Sequence, residues 1–240
     1  KKWKDALVAE LRRVSFSYFP DRIPPAKLAD RIPPASLSMT SEQGIEFRLR
    51  RQETTDATPS RRIVLVVTGA DDVSAAPDWL DRVAAPGDIV LFCDTRGVGE
   101  TRWTRKNPPN YVERSHALLG RTVDTGRVWD VIAAARFLYA ENGGKVPVYV
   151  CGRGAAGIIA AYAALFEPEI GGAAVVDPPA SHMDPRAPVF LNVLRVCDIP
   201  DALGMLAPRP LTLLQAKSDT LDKVREIYKA AGASGAFTSR

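Results

Sequence analysis

Two rhythms of apolar residues divide the chain. Gly44–Arg51 sets Ile45, Phe47 and Leu49 against charged neighbours, and this period of two predicts an antiparallel strand at a sheet edge. Beyond it, near-continuous Val, Ile and Leu runs predict strands at Arg62–Thr68, Asp88–Asp94, Val146–Cys151, Ala173–Asp177 and Leu211–Gln215. Helical patterns alternate with them at Ala76–Ala84, Thr125–Glu141, Ala155–Phe166, near Pro200–Leu206, and at Leu221–Ala231. Buried strands alternating with helices are what a parallel sheet covered on both faces requires, so the predicted fold is a three-layer α/β/α sandwich with a mostly parallel sheet. Ahead of it, Trp3–Phe19 reads as an amphipathic helix. The paired prolines of Ile23-Pro24-Pro25 and Ile32-Pro33-Pro34 remove amide donors and force extended backbone. Residues 1–43 are thus expected to form a helical, proline-rich arm packing on a core of residues 44–240, the whole being a single domain.

Composition narrows the picture. At 240 residues and 46% hydrophobic content, the chain can bury one sizeable core. Its longest apolar runs, such as Ile63–Thr68 and Ile158–Phe166, fall short of the roughly 20 residues a membrane-crossing helix needs, so no membrane partner is expected. The opening Lys1-Lys2-Trp3-Lys4-Asp5 lacks the apolar stretch and cleavage site of a signal peptide. A net charge of +4 arises from 32 basic and 28 acidic residues interspersed along the chain, which reads as solvated surface. Short basic clusters at Arg48-Leu49-Arg50-Arg51 and Arg61-Arg62 have no aromatic interleaving, and no nucleic-acid partner is expected. Cys93, Cys151 and Cys197 are odd in number, and the first two sit in apolar runs, so neither a disulfide nor a metal site is expected.

In sheets of this kind ligands sit outside the carboxyl ends of the strands, and chemistry is to be sought in the residues just after each strand. The densest signal there is Tyr149-Val150-Cys151-Gly152-Arg153-Gly154-Ala155-Ala156-Gly157-Ile158. One reading is a nucleophile elbow, the strained strand-to-helix turn of Gly-x-Ser-x-Gly, with Gly154 in the serine's place. A second is a dinucleotide fingerprint. Gly152, Gly154 and Gly157 satisfy Gly-x-Gly-x-x-Gly after a strand, and Asp177 ends the next strand where a ribose-binding carboxylate belongs. A third is packing alone, glycines letting the helix approach the sheet. The turn does not follow the first core strand, as dinucleotide fingerprints usually do, and this favours the elbow.

Other segments carry a family resemblance. Asp94-Thr95-Arg96-Gly97-Val98-Gly99-Glu100-Thr101 is similar to an Asp-x-Arg-Gly-x-Gly turn, and Leu119-Gly120-Arg121 precedes Val128-Trp129-Asp130-Val131. Later, Leu206-Ala207-Pro208-Arg209-Pro210-Leu211 looks like an Ala-Pro-Arg-Pro approach to a strand. Over roughly residues 60 to 230, in this order, the chain resembles the α/β-hydrolase superfamily in its acetylxylan-esterase and cephalosporin-deacetylase-like branch. The resemblance implies a triad, and the chain departs from it. The nucleophile position is Gly154, which offers no oxygen or sulfur for attack. The acid position falls near Asp219 or Asp222, and no histidine follows His182 where the base is expected. Oxyanion donors would be the backbone amides of Ala155 and of Ala70 or a neighbour. The resemblance thus implies a carbohydrate-esterase-like protein without serine-hydrolase activity and without a cofactor. It implies an acetylated or acidic saccharide as partner and a periplasmic or secreted location.

Further candidates lie near the strand ends. Asp177-Pro178-Pro179-Ala180-Ser181-His182 gathers a carboxylate, a hydroxyl and a histidine, so Asp177, Ser181 and His182 are the residues for an active hydrolase with an unconventional nucleophile. Adjacent Ser181 and His182 fit poorly a geometry in which the base reaches the hydroxyl at about 2.6–3.2 Å, and Asx and Ser turns tying down the loop are the favoured reading. His116 lies near the crevice mouth, and two separated histidines with no Cys or Glu at ligand spacing make no metal site. Arg153, with Arg96, is placed to clamp a carboxylate or phosphate. Trp103 and Tyr111 are placed to stack on a sugar ring, while Trp129 reads as core.

Overall fold

The computed structural model describes residues 2–52, 62–69, 76–103 and 111–240. After helix α1 (Lys2–Ser15) the chain enters the sheet with β1 (Lys27–Ile32), β2 (Ser36–Glu42) and β3 (Ile45–Arg51), then adds β4 (Ile63–Val67) and β5 (Ile89–Asp94). Helices α2 (Tyr111–Leu118) and α3 (Val123–Glu141) lead to β6 (Val148–Arg153), α4 (Gly154–Phe166) and β7 (Ile170–Val176). Next come α5 (Ile199–Gly204), β8 (Leu211–Leu214), α6 (Ser218–Ala230) and β9 (Phe237–Ser239). The nine strands lie in the order β1-β2-β3-β5-β4-β6-β7-β8-β9. β1, β2 and β3 pair antiparallel, β3 joins β5 antiparallel, and every pair from β5 to β9 is parallel.

The core follows from the pleat, because successive side chains of a strand point to opposite faces. Ile63, Leu65 and Val67 of β4 turn to the face that also packs Leu11, Ile132, Ile159 and Tyr228, drawn from α1, α3, α4 and α6. Val64 and Val66 turn to the other face and meet Phe92, Val176, Trp79 and Leu80. The mostly parallel three-layer sandwich expected from the apolar runs is therefore present. An aromatic cluster pins the N-terminal segment down, with Phe16 against Tyr162, Phe166 and Phe190 and Tyr18 stacked on Trp129. Trp129 is core, its indole N–H donating to the Ser41 carbonyl at 3.3 Å.

Two expectations are corrected. β3 is not at the edge, since Leu49 pairs with Leu37 of β2 on one side and Cys93 of β5 on the other. The edge is β1, whose exposed Lys27, Asp30 and Arg31 are the charges that keep an open strand from pairing with another chain. In place of a helix over Ala76–Ala84 there is a 3-10 turn at Leu80–Arg82, and the Asp88 carboxylate accepts the Ala85 amide at 2.8 Å just beyond it. Among the described residues, no helix is long and apolar enough to cross a membrane.

Candidate functional site

Three neighbouring strands end in step. Arg153 pairs with Val176, and Val176 pairs with Leu214, so the residues that follow them form a row along the carboxyl edge of the sheet. Those residues are Gly154, Asp177 and Gln215, and each leaves its strand through the left-handed region, at φ of 56°, 45° and 56°. Adjacent strands stand about 4.8 Å apart, so the row spans roughly 10 Å. Asp tolerates this conformation better than most residues, whereas Gln does so at a cost of about 1–2 kcal/mol. Strain gathered at strand ends is a mark of functional turns. The backbone holds it here: the Asp177 amide donates to the Leu214 carbonyl at 2.8 Å and the Gln215 amide to the Arg240 carbonyl at 3.1 Å.

The turn after β6 has the form of an elbow. Arg153 is extended, Gly154 is left-handed, and α4 begins at once. A side chain built at Gly154 would meet nothing within 4 Å, so the position opens into free space. Its two companions do different work. A Cβ on Gly157 would lie 2.5 Å from the Gly152 carbonyl oxygen and 2.6 Å from Val175, so Gly152 and Gly157 are small because strand and helix touch there. That contact accounts for two of the glycines of the dinucleotide-like spacing by packing. The amide of Ala155, in the first turn of α4, has no acceptor within the helix. Ala70 lies outside the described residues.

The other candidates are distributed unevenly around this turn. Arg153 is exposed and has no hydrogen bond or ion pair among the described residues. Arg96 is buried and committed elsewhere: its guanidinium donates to both oxygens of Asp130, at 2.9 and 2.6 Å, and approaches Glu42 at 2.7 Å. It ties β2, the turn after β5 and α3 together and does not reach out as a clamp. The indole of Trp103 lies against Gly97, where any side chain would collide with the ring. His116 sits on α2 and donates from Nδ1 to the Val112 carbonyl at 2.8 Å, a bond within its own helix, and Tyr111 is exposed on the same helix. Asp219 and Asp222 are exposed on α6, the first beside the Ser218 hydroxyl at 3.3 Å and the second paired with Arg225 at 2.6 Å.

Asp177, Ser181 and His182 do not converge. The Asp177 carboxylate faces Arg186 at 3.5 Å. The Ser181 hydroxyl accepts the Met183 amide at 3.1 Å and bonds to Asp198. His182 donates from Nδ1 to the Pro188 carbonyl at 3.3 Å and accepts at Nε2 from the Tyr162 hydroxyl at 2.9 Å, so both ring nitrogens are engaged. Burial lowers the His182 pKa from its usual value, which keeps the ring neutral. Burial would raise the Asp198 pKa, but hydrogen bonds from Ser181, the His182 amide and the Ile199 amide prevail and hold it below the usual carboxylate value. Tyr162 and Asp198 organise this loop and were not singled out by the sequence. Asp198-Ile199-Pro200-Asp201 is nevertheless a readable capping box before an apolar turn. The three cysteines are free and buried, and burial pushes the Cys151 thiol, at the end of β6, up to about 12.

No family model matches the chain. No curated protein matches it either. Solved structures do. A protein from Bacteroides fragilis assigned as an acetyl xylan esterase superposes with a TM-score of 0.69 at 16% identity, over 100% of this chain and 74% of that one. A carbohydrate esterase family 15 glucuronoyl esterase from Caldicellulosiruptor kristjansonii gives 0.68 at 14% identity, over 100% and 79%. Acetyl Xylan Esterase 1 from Thermoanaerobacterium sp. gives 0.54 at 15% identity, over 99% and 84%.

Proposed function

We propose that this chain, which has the α/β-hydrolase fold of these esterases, is a carbohydrate-esterase-like protein whose strand-end turns bind a sugar or acyl sugar without cleaving it by serine chemistry. The observation that carries this reading is Gly154: the elbow keeps its left-handed backbone and the open space before it, and the residue there has no nucleophilic atom. The first-turn amides of α4 are donors for an ester carbonyl, and exposed Arg153 is free to take an acidic group beside it. The saccharide class rests on the esterases it superposes with. Against an unconventional nucleophile stand the hydrogen bonds that draw Ser181 to Asp198 and His182 to Tyr162, and the deep burial of Cys151.

The test is an assay with two readouts. With p-nitrophenyl acetate and acetylated xylan, the protein is expected to hydrolyse at the uncatalysed rate. Acetylated xylo-oligosaccharides are expected to shift the amide resonances of Arg153, Gly154, Ala155, Asp177 and Gln215. Turnover well above background would overturn the catalytic half of the reading, and Ser181→Ala and His182→Ala would then show whether those residues carry it. Unmoved resonances at millimolar sugar would overturn the binding half.

A further inference from the structure

A cavity of about 480 Å³ opens at the amino ends of the strands, between the turn joining β1 to β2 and the last turn of α3. None of the candidate residues at the carboxyl edge lines it. Its walls are apolar, and Ile32, Leu37, Ile89 and Phe137 each leave part of a side chain uncovered there. The rim is fixed: the Arg51 amide donates to the Ala35 carbonyl at 2.9 Å, holding the hairpin turn against the end of β3. Exposed Arg31 and Arg51 stand at this rim, and neither guanidinium has a hydrogen bond or ion pair among the described residues. Glu141 also stands at the rim, so these arginines and Glu141 together leave it with an excess of positive charge.

Unpaired guanidinium forks above an uncovered apolar wall complement a ligand with one anionic end and one greasy end. Guanidinium takes a carboxylate through parallel charge-assisted hydrogen bonds, and the apolar tail gains by leaving water. The volume is at the lower end of the range of about 300–1,000 Å³ for small-molecule sites, which fits a short ligand. We propose that this cavity binds a free amphipathic monocarboxylate of medium chain length, its carboxylate shared by Arg31 and Arg51 and its tail lying against Ile32, Leu37 and Phe137. The site is independent of the Gly154 turn.

Octanoate titrated into the full chain, followed by calorimetry and by amide shifts, tests this. Saturable one-to-one binding is expected, with shifts at residues 31–37 and 137–142. Octanol, the neutral analogue, should bind about tenfold more weakly or worse, as should octanoate to the Arg31→Gln, Arg51→Gln double variant. Both arginines are exposed, so that variant should keep the wild-type circular dichroism spectrum and melting temperature. Arg153→Gln should bind octanoate as wild type does. The proposal is overturned if octanoate does not saturate in the millimolar range, if octanol binds equally well, if the double variant keeps wild-type affinity, or if the shifts fall on the Gly154 turn.

Discussion

The Tyr162 hydroxyl donates to Nε2 of His182 across 2.9 Å, a direction set by the tautomer that the other side of the ring imposes. The Pro188 carbonyl 3.3 Å from Nδ1 can only accept, so Nδ1 carries the proton and Nε2 is bare. Burial drives the Tyr162 pKa well above its usual value, which keeps the hydroxyl protonated as the donor. A proton added to Nε2 would require the Tyr162 hydroxyl to turn and accept, and would charge a ring that burial keeps neutral.

A pH dependence of stability follows from that pair. The folded-state pKa of His182 is lowered, so the unfolded chain binds the proton more tightly. The stability from the neutral ring is complete above the unfolded value near 6.5 and is lost as pH falls below it toward the folded value. Urea unfolding between about pH 7.5 and 5 should show stability declining, with a slope of no more than about 1.4 kcal/mol per pH unit from this one group. His182→Gln cannot titrate and should flatten that part of the profile. A profile unchanged by the substitution would mean that the decline comes from another group.

The buried ion pair between Arg96 and Asp130 predicts a large mutational cost. Asp130 is fully buried and accepts from the Arg96 amide at 2.9 Å, from both ends of its guanidinium and from Ser41 at 2.5 Å. Removing one member of a buried pair leaves the other charge uncompensated, at about 3–5 kcal/mol. Asp130→Ala should fall at the lower end of that range because Glu42 remains near Arg96. Ser41→Ala should cost about 1 kcal/mol. Equilibrium unfolding measures both, and the double change Arg96→Met, Asp130→Leu should be less harmful than Asp130→Ala alone.

Gly154 and Gly157 look alike in the sequence and should respond differently to substitution. Gly154→Ser places its side chain in open space and suffers only the left-handed backbone, about 1–2 kcal/mol. Gly157→Ala drives a methyl into the backbone of Gly152 and into Val175, an overpacking cost of about 1–3 kcal/mol or more in a contact that cannot yield. The midpoint of urea unfolding should therefore fall further for Gly157→Ala. Gly154→Ser should also remain inactive toward p-nitrophenyl acetate, since both histidines in this sequence already have other partners.

Much of the sheet was legible because β4 to β8 are buried on both faces and spell themselves out in Val, Ile and Leu. β1 was not, since an exposed charged edge shows no alternation. β2, rich in serine and threonine, owes its place to pairing with β3, and β9 is too short to carry a pattern. The short helix α2 has no buried residue to give it an apolar stripe. At the strand ends, the turn at Gly154 could be read from local glycine spacing alone. The commitments of Arg96 and His182 could not, because Asp130 and Tyr162 lie 34 and 20 residues away and only the fold brings them close.

Asp198 offers a final prediction, in a different pH window from His182. Its Oδ1 accepts from the His182 amide at 2.7 Å and from the Ile199 amide at 2.8 Å, so one carboxylate both caps α5 and anchors the loop that carries His182. Asp198→Ala removes the cap, about 1 kcal/mol, and strands the loop's amide donor, about 1–3 kcal/mol more. Asp198→Asn keeps an acceptor oxygen and should lose less. The folded-state pKa of Asp198 is lowered from 3.8, so its contribution is intact above that value and is lost only as pH falls through the lower folded one. The destabilisation by Asp198→Ala should accordingly be constant from about pH 7 to 5, where the His182 contribution is already declining. A cost that grew as His182 took up its proton would show that the two act as one coupled unit, since the Asp198 charge favours the protonated ring; a constant cost would show that the loop is anchored at its backbone independently of the ring.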